Sequence, residues 1–261
     1  MSPETPETDQ LAEGTLISHL LELRNRLLRA VIAVFIVFVP LAFFSNELFT
    51  FVARPLIDKL PEGNSLIATG VVAPFMTPLK LALFTALFVA MPYVLYQAWA
   101  FIAPGLYRNE KRFALPMFAT SVVLFYAGTA FAYYVVFPLM FAFLTTTTPA
   151  GVKMMTDISS YLDFIILLFF AFGLAFETPV ATVLLVASGL VSIKTLRKNR
   201  GFVLLGIFVV AAFLTPPDAI SQSFMAVPMY LLYEVGIVLA AFLLKDKLAR
   251  RAEEEAADLR E

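Results

Sequence analysis

Five carboxylates stand in or beside long apolar stretches of this chain: Glu22, Glu110, Glu177, Asp218 and Glu234. Glu177 interrupts YLDFIILLFFAFGLAFETPVATVLLVASGL, a run long and apolar enough to cross a bilayer. A charged side chain at such a depth costs roughly 2.5–3.5 kcal/mol on insertion scales, and where one is kept it faces a bundle interior or a wet cavity. The chemistry open to it is proton exchange, hydration of a cavity, or a hydrogen bond to a polar neighbour. No Lys or Arg lies in the inner part of any apolar run, so its company must be neutral. Thr178, and the backbone carbonyl that Pro179 leaves unpaired, are within reach along the chain. Glu234, in PMYLLYEVG, carries a similar signal, with Tyr230 and Tyr233 as nearby hydroxyl partners.

The other three carboxylates have ordinary local explanations. Glu22, in HLLELRNRLL, is placed for an i,i+4 pair with Arg26, worth a few tenths of a kcal/mol. Glu110, in APGLYRNEKR, would sit in the first turn of a helix capped by Asn109, where the dipole favours an acid. Asp218 follows TPP and suits a helix N-cap.

Enzyme chemistry has no foothold. The chain lacks the phosphate-cradling G-x-x-x-x-G-K-[ST] loop, the G-x-S-x-G nucleophile turn and the zinc-binding H-E-x-x-H pair. It has no cysteine and one histidine, His19, which rules out thiolate nucleophiles, Cys-based zinc sites and a His-rich metal site. A net charge of −1 gives nucleic acid no electrostatic footprint. No catalytic residue, metal or cofactor is expected.

The elements that must position the carboxylates are membrane helices. The chain has 261 residues, 60% of them hydrophobic, with mean hydropathy +0.84. Apolar runs predict six spans, at about 27–44, 79–102, 114–137, 161–190, 201–214 and 224–244. Most reach the ~20 residues that a ~30 Å hydrocarbon core requires. The fifth, at 1.5 Å per residue, reaches only ~21 Å. A span that short must thin the bilayer locally or lean on its neighbours. Prolines 40, 92, 116, 138, 179 and 228 fall within the runs and should kink several of them. The fold class is therefore an all-α integral membrane protein of six spans. It forms a single membrane domain over 1–261, with a disordered acidic tail at 1–15 and a charged tail at 246–261. Residues 46–78 should form a packed cap containing one or two short helices. No internal repeat is visible.

Basic residues set the orientation. Of the 19 Lys and Arg, 15 fall before span one, between spans two and three, between four and five, or after six. Only Arg54, Lys59, Lys80 and Lys153 lie on the other side. By the positive-inside rule both termini are cytoplasmic.

Six pieces of sequence, in order over roughly 16–245, resemble the TatC family, the multispanning receptor subunit of the twin-arginine protein translocase. They are HLLELRNRLL at 19–28, YQAWAFIAPGLYRNEKR at 96–112, FAYYVVFPL at 131–139, FGLAFETPVA at 172–181, LTPPDAISQ at 214–222 and PMYLLYEVG at 228–236. The resemblance implies a curved, glove-like bundle in a bacterial inner membrane. That bundle binds signal peptides with two adjacent arginines on folded cargo, and assembles single-span TatA and TatB partners. It is expected to self-associate in a larger complex driven by the proton-motive force. Signal-peptide binding would fall to Glu22, Arg24, Phe101 and Glu110, and partner binding to Thr215, Asp218 and Gln222. Glu177 and Glu234 would be intramembrane polar features. Asn109 and Ala212 depart from some members, which carry His and Met there. Apart from the resemblance, Glu177 suggests another function, a proton-coupled small-solute transporter.

Overall fold

The computed structural model describes the backbone of residues 7–57, 66–106, 111–146, 155–215 and 218–245. These residues are almost wholly helical: α1 (Glu7–Ala42), α2 (Ser45–Ile57), α3 (Ala73–Leu106), α4 (Lys111–Phe131), a π-helical turn (Ala132–Val136), α5 (Phe137–Thr146), α6 (Ile158–Ala175), α7 (Thr178–Ser188), α8 (Ile193–Lys198), α9 (Arg200–Leu214) and α10 (Ala219–Leu243). The expected all-α class holds. The one β feature among the described residues is an isolated parallel bridge between Ile67 and Asp157.

Five stretches are long and apolar enough to cross a membrane: Ser18–Ala42, Ala73–Phe101, Leu115–Phe143, Ile158–Ser188 and Ala219–Leu243. The remaining expected span, the short fifth, is α9, an apolar helix of 15 residues, which reaches about 22 Å. Phe213 is 84% exposed and Phe242 77%. Aromatic surface on that scale belongs against lipid rather than water. At the other end of the chain, α1 begins at Glu7, inside the segment expected to be a disordered tail. Gln10, Leu11, Ala12 and Glu13 are good helix formers and extend the amphipathic stretch backwards.

Two of the six prolines disturb their helices, by two routes, while Pro40, Pro92, Pro116 and Pro228 lie inside α1, α3, α4 and α10 without ending them. Pro138 has no N–H to give, and just before it the ladder widens, with the Phe137 N–H donating to the Ala132 carbonyl. That produces the π turn inside the third span. Pro179 interrupts the fourth span. Its missing N–H and ring bulk free the Ala175 carbonyl four residues back. Helix α6 accordingly ends at Ala175 and α7 starts at Thr178. Glu177 occupies the break.

Backbone packing divides the chain into two compact units, Met1–Leu48 with Pro78–Phe118, and Phe49–Thr77 with Ala119–Glu261. The first contains most of α1 and α3. Leu27, Val31 and Phe35 of α1 and Leu83, Leu87 and Val94 of α3 line an apolar groove of about 300 Å³.

The second unit has an aromatic core. Phe137, Met140, Phe141, Tyr161, Ile165, Leu168 and Phe172 are buried together with Ala53 of α2. Helices approach closely where glycine allows it, as membrane packing favours. A Cβ on Gly128 of α4 would lie 2.5 Å from the Phe172 carbonyl oxygen of α6, and one on Gly173 would lie 2.6 Å from the Phe125 ring. A Cβ on Gly236 would press the same way on Pro179 and Thr182, where α10 packs on α7. Helix α7 ends on Gly189 in the left-handed region (φ 82°), a conformation that costs glycine least. Asp157 fastens one end of the unit. It caps α6 through the Ser159 and Ser160 amides and accepts from the Thr69 backbone N–H (3.0 Å) and hydroxyl (2.8 Å). The Thr69 bonds first, then the helix amides, hold its carboxyl at about 2, below the usual 3.8.

Candidate functional site

Within the first unit, His19, Glu22 and Arg26 are spaced three and four residues apart, so they share one face of α1. The Arg26 guanidinium turns back along the helix and donates to Glu22 Oε1 from Nε (2.9 Å) and Nη2 (2.6 Å). The expected i,i+4 pair therefore forms. One turn earlier, the His19 ring stacks on Phe101 of α3, with centroids 4.3 Å apart and planes 26° apart. This contact places the face bearing Glu22 beside Phe101, joining residues some eighty positions apart in sequence. Arg24 is exposed on α1. Trp99 and Gln97 are 8% and 4% exposed, and Gln97 Oε1 is buried without a hydrogen-bond partner among the described residues. Glu110 and Asn109 lie outside the described residues.

In the second unit, Glu177 takes its partner from another span. Ser121 Oγ of α4 donates to Glu177 Oε2 at 2.7 Å, while Glu177 Oε1 is buried with no hydrogen-bond partner among the described residues. The neutral company of the carboxylate thus comes from 56 residues upstream rather than from the adjacent Thr178.

Glu234 accepts from two donors. Tyr230 Oη lies 3.0 Å from Oε1, as the sequence suggests. Arg200 Nη2, at the first residue of α9, lies 2.5 Å from Oε2. Tyr233 points elsewhere and donates to the Leu196 carbonyl of α8 at 2.8 Å. These contacts tie the start of α9 and the helix before it to α10.

At the opposite end of α9, Thr215 terminates the helix and donates to the Ala211 carbonyl at 2.8 Å. Asp218 caps α10 by accepting from the Ser221 N–H at 2.7 Å. That bond, foremost, holds its carboxyl below the ordinary range. Ser221 is buried, and Gln222 on the next position is half-buried. Thr215, Asp218, Ser221 and Gln222 thus form a polar corner between two apolar helices.

Such an arrangement, long apolar spans with a few carboxylates held at a helix break, at helix ends and across helix pairs, defines a multispanning integral membrane protein. Comparison with known proteins narrows the class. Residues 18–228 match the family model described as Sec-independent protein translocase protein (TatC). A relative of that name from Azotobacter chroococcum is 53% identical over 97% of this chain and 96% of its own length. The Escherichia coli K12 protein of the same name is 52% identical, over 87% of this chain and 88% of its own. A solved structure described as the twin-arginine translocase receptor TatC superposes with TM-score 0.77 at 34% identity, over 86% of this chain and 98% of that one. The chain belongs to the TatC family, as the six ordered motifs anticipate. The alternative of a solute transporter finds no support among these relatives.

Proposed function

We propose that this chain is the receptor and core scaffold of a twin-arginine translocase. It has no catalytic role of its own. It sits in a bacterial inner membrane with both termini in the cytoplasm, where the bias of Lys and Arg puts them. Folded cargo is recognised through the two adjacent arginines of its signal peptide. Glu22, Arg24 and Phe101 contribute to that recognition, and Glu110 supplies a second carboxylate. TatA and TatB dock around Thr215, Asp218 and Gln222, further copies of the receptor join the complex, and the proton-motive force drives transport.

The observation that carries this reading is the His19–Phe101 stack. It gathers a carboxylate from α1 and an aromatic ring from α3 at one place, and the sequence reaches Glu110 nine positions after that ring. A guanidinium is best bound by a carboxylate that meets its fork in two places, and an aromatic face adds cation–π attraction. Two carboxylates on separate segments would require two arginines, which is the specificity the family name describes. Glu177 and Glu234 serve as polar features of the intramembrane wall.

Site-specific photocrosslinking tests the assignment. Probes at positions 20–26 and 101–112 should capture a twin-arginine signal peptide, and the Glu110→Ala chain should capture less. Equal capture by Glu110→Ala and the unaltered chain, or capture only by probes placed elsewhere, would remove the site.

A further inference from the structure

Glu22 is already holding an arginine. Both Nε and Nη2 of Arg26 converge on Oε1 of Glu22, and among the described residues Oε2 has no protein partner. The carboxylate side chain is 41% exposed, whereas Arg26 is 22% exposed. The guanidinium is thus the more sheltered partner, and the carboxylate is open to an incoming group. We propose that Arg26 is a built-in stand-in for a signal-peptide arginine, occupying Glu22 in the empty receptor and displaced when the peptide binds. The proposal rests on the reading of Glu22 as a signal-peptide carboxylate.

The geometry explains why exchange runs forward. Arg26 is fixed one turn along the same helix and reaches only one carboxylate oxygen. A free guanidinium approaching from solvent can lay its fork across both, the stronger arrangement. The latch is also weak, because i,i+4 pairs on a helix surface hold by less than thermal energy. Its removal should therefore tighten peptide binding only on the order of twofold. What the latch supplies is order. It holds the carboxylate on the face it shares with His19, ready for a cation of the same shape.

The test measures binding of a fluorescent synthetic twin-arginine signal peptide to the full chain in nanodiscs at low salt. Arg26→Gln should tighten binding about twofold, and Arg26→Lys should fall between Arg26→Gln and the unaltered chain. In a Glu22→Gln background the Arg26→Gln change should have no further effect. Arg29→Gln removes an equal charge one turn beyond Arg26 and should change affinity less. Weaker or unchanged binding by Arg26→Gln overturns the proposal, as does an equal gain from Arg29→Gln, which would make the effect general electrostatics. If Glu22→Gln alone leaves affinity unchanged, the reading of Glu22 itself fails. If Glu22→Gln weakens binding but Arg26→Gln does not tighten it, only the latch fails. Thermal unfolding of each variant, expected to match the unaltered chain, separates these outcomes from misfolding.

Discussion

The pair between Arg200 and Glu234 offers a sharp energetic test of how the short fifth span is held. Glu234 lies nine residues before the end of α10, which is roughly 13 Å along the axis. Arg200, the first residue of α9, meets it there at 2.5 Å. The start of α9 is therefore level with the interior of α10 rather than with its end. The side chains are 45% and 25% exposed, so the pair is neither a surface bridge nor a sealed one. Surface pairs contribute about 0.2–1 kcal/mol, and an unpaired charge at mid-span costs about 2.5–3.5. A coupling energy of about 1–2 kcal/mol between Arg200 and Glu234 lies between those bounds. The assay is a double-mutant cycle by detergent-titration unfolding, using Arg200→Gln, Glu234→Gln and the double variant. Each single change should destabilise, because each strands one charge, and the double change should cost less than their sum. Additivity within about 0.5 kcal/mol would mean that the two charges do not interact, and the placement of α9 against α10 would need another cause.

Three further outcomes follow from the packing and caps. Gly128→Ala should destabilise by about 1–3 kcal/mol, because its Cβ would meet a backbone carbonyl that cannot give way. Gly206→Ala, with nothing within 4 Å of its Cβ, should be neutral or mildly stabilising in the same unfolding assay; equal effects would refute the close approach of α4 and α6. Ser121→Ala should cost about 1–3 kcal/mol by leaving the Glu177 carboxyl without its hydroxyl donor, and unchanged stability would show that donor to be dispensable. Asp157 has its carboxyl lowered to about 2 from 3.8. Its contribution is complete above pH ~4 and is lost as pH falls towards 2. Melting followed from pH 5 to 2 should show a smaller acid loss for Asp157→Asn than for the unaltered chain, the remainder coming from groups such as Asp218, also lowered. Identical acid profiles would remove Asp157 as a contributor.

Features that depend on residues within a turn or two of one another are legible in the sequence itself. The Glu22–Arg26 pair, the Tyr230–Glu234 bond and the Asp218 cap all follow from spacing, and all form. So do the five long spans and the short one, α9, because apolar length is a local property. What spacing does not reveal is the partner arriving from another helix. Ser121 reads as one more small residue in ATSVVLF, yet it is the donor to Glu177. Arg200 reads as one of a row of flanking cations, yet it answers Glu234, for which only tyrosines are local candidates. His19 reads as a lone histidine before the first span, and only the packing of α1 and α3 turns it into the support for Phe101. Pro179 is intermediate: its presence announces a kink, and the structure adds that one helix ends and the next begins there, with Glu177 between them.

The central claim, that this chain reads paired arginines with paired carboxylates, is tested most directly by comparing two peptides. A twin-arginine signal peptide and its twin-lysine counterpart are titrated against the full chain in nanodiscs, with Glu22→Gln and Glu110→Gln alongside. The account predicts at least tenfold weaker binding of the lysine peptide, equivalent to about 1.4 kcal/mol, a preference that shrinks when either glutamate is neutralised. Equal affinity for the two peptides, or a preference untouched by both substitutions, would contradict it.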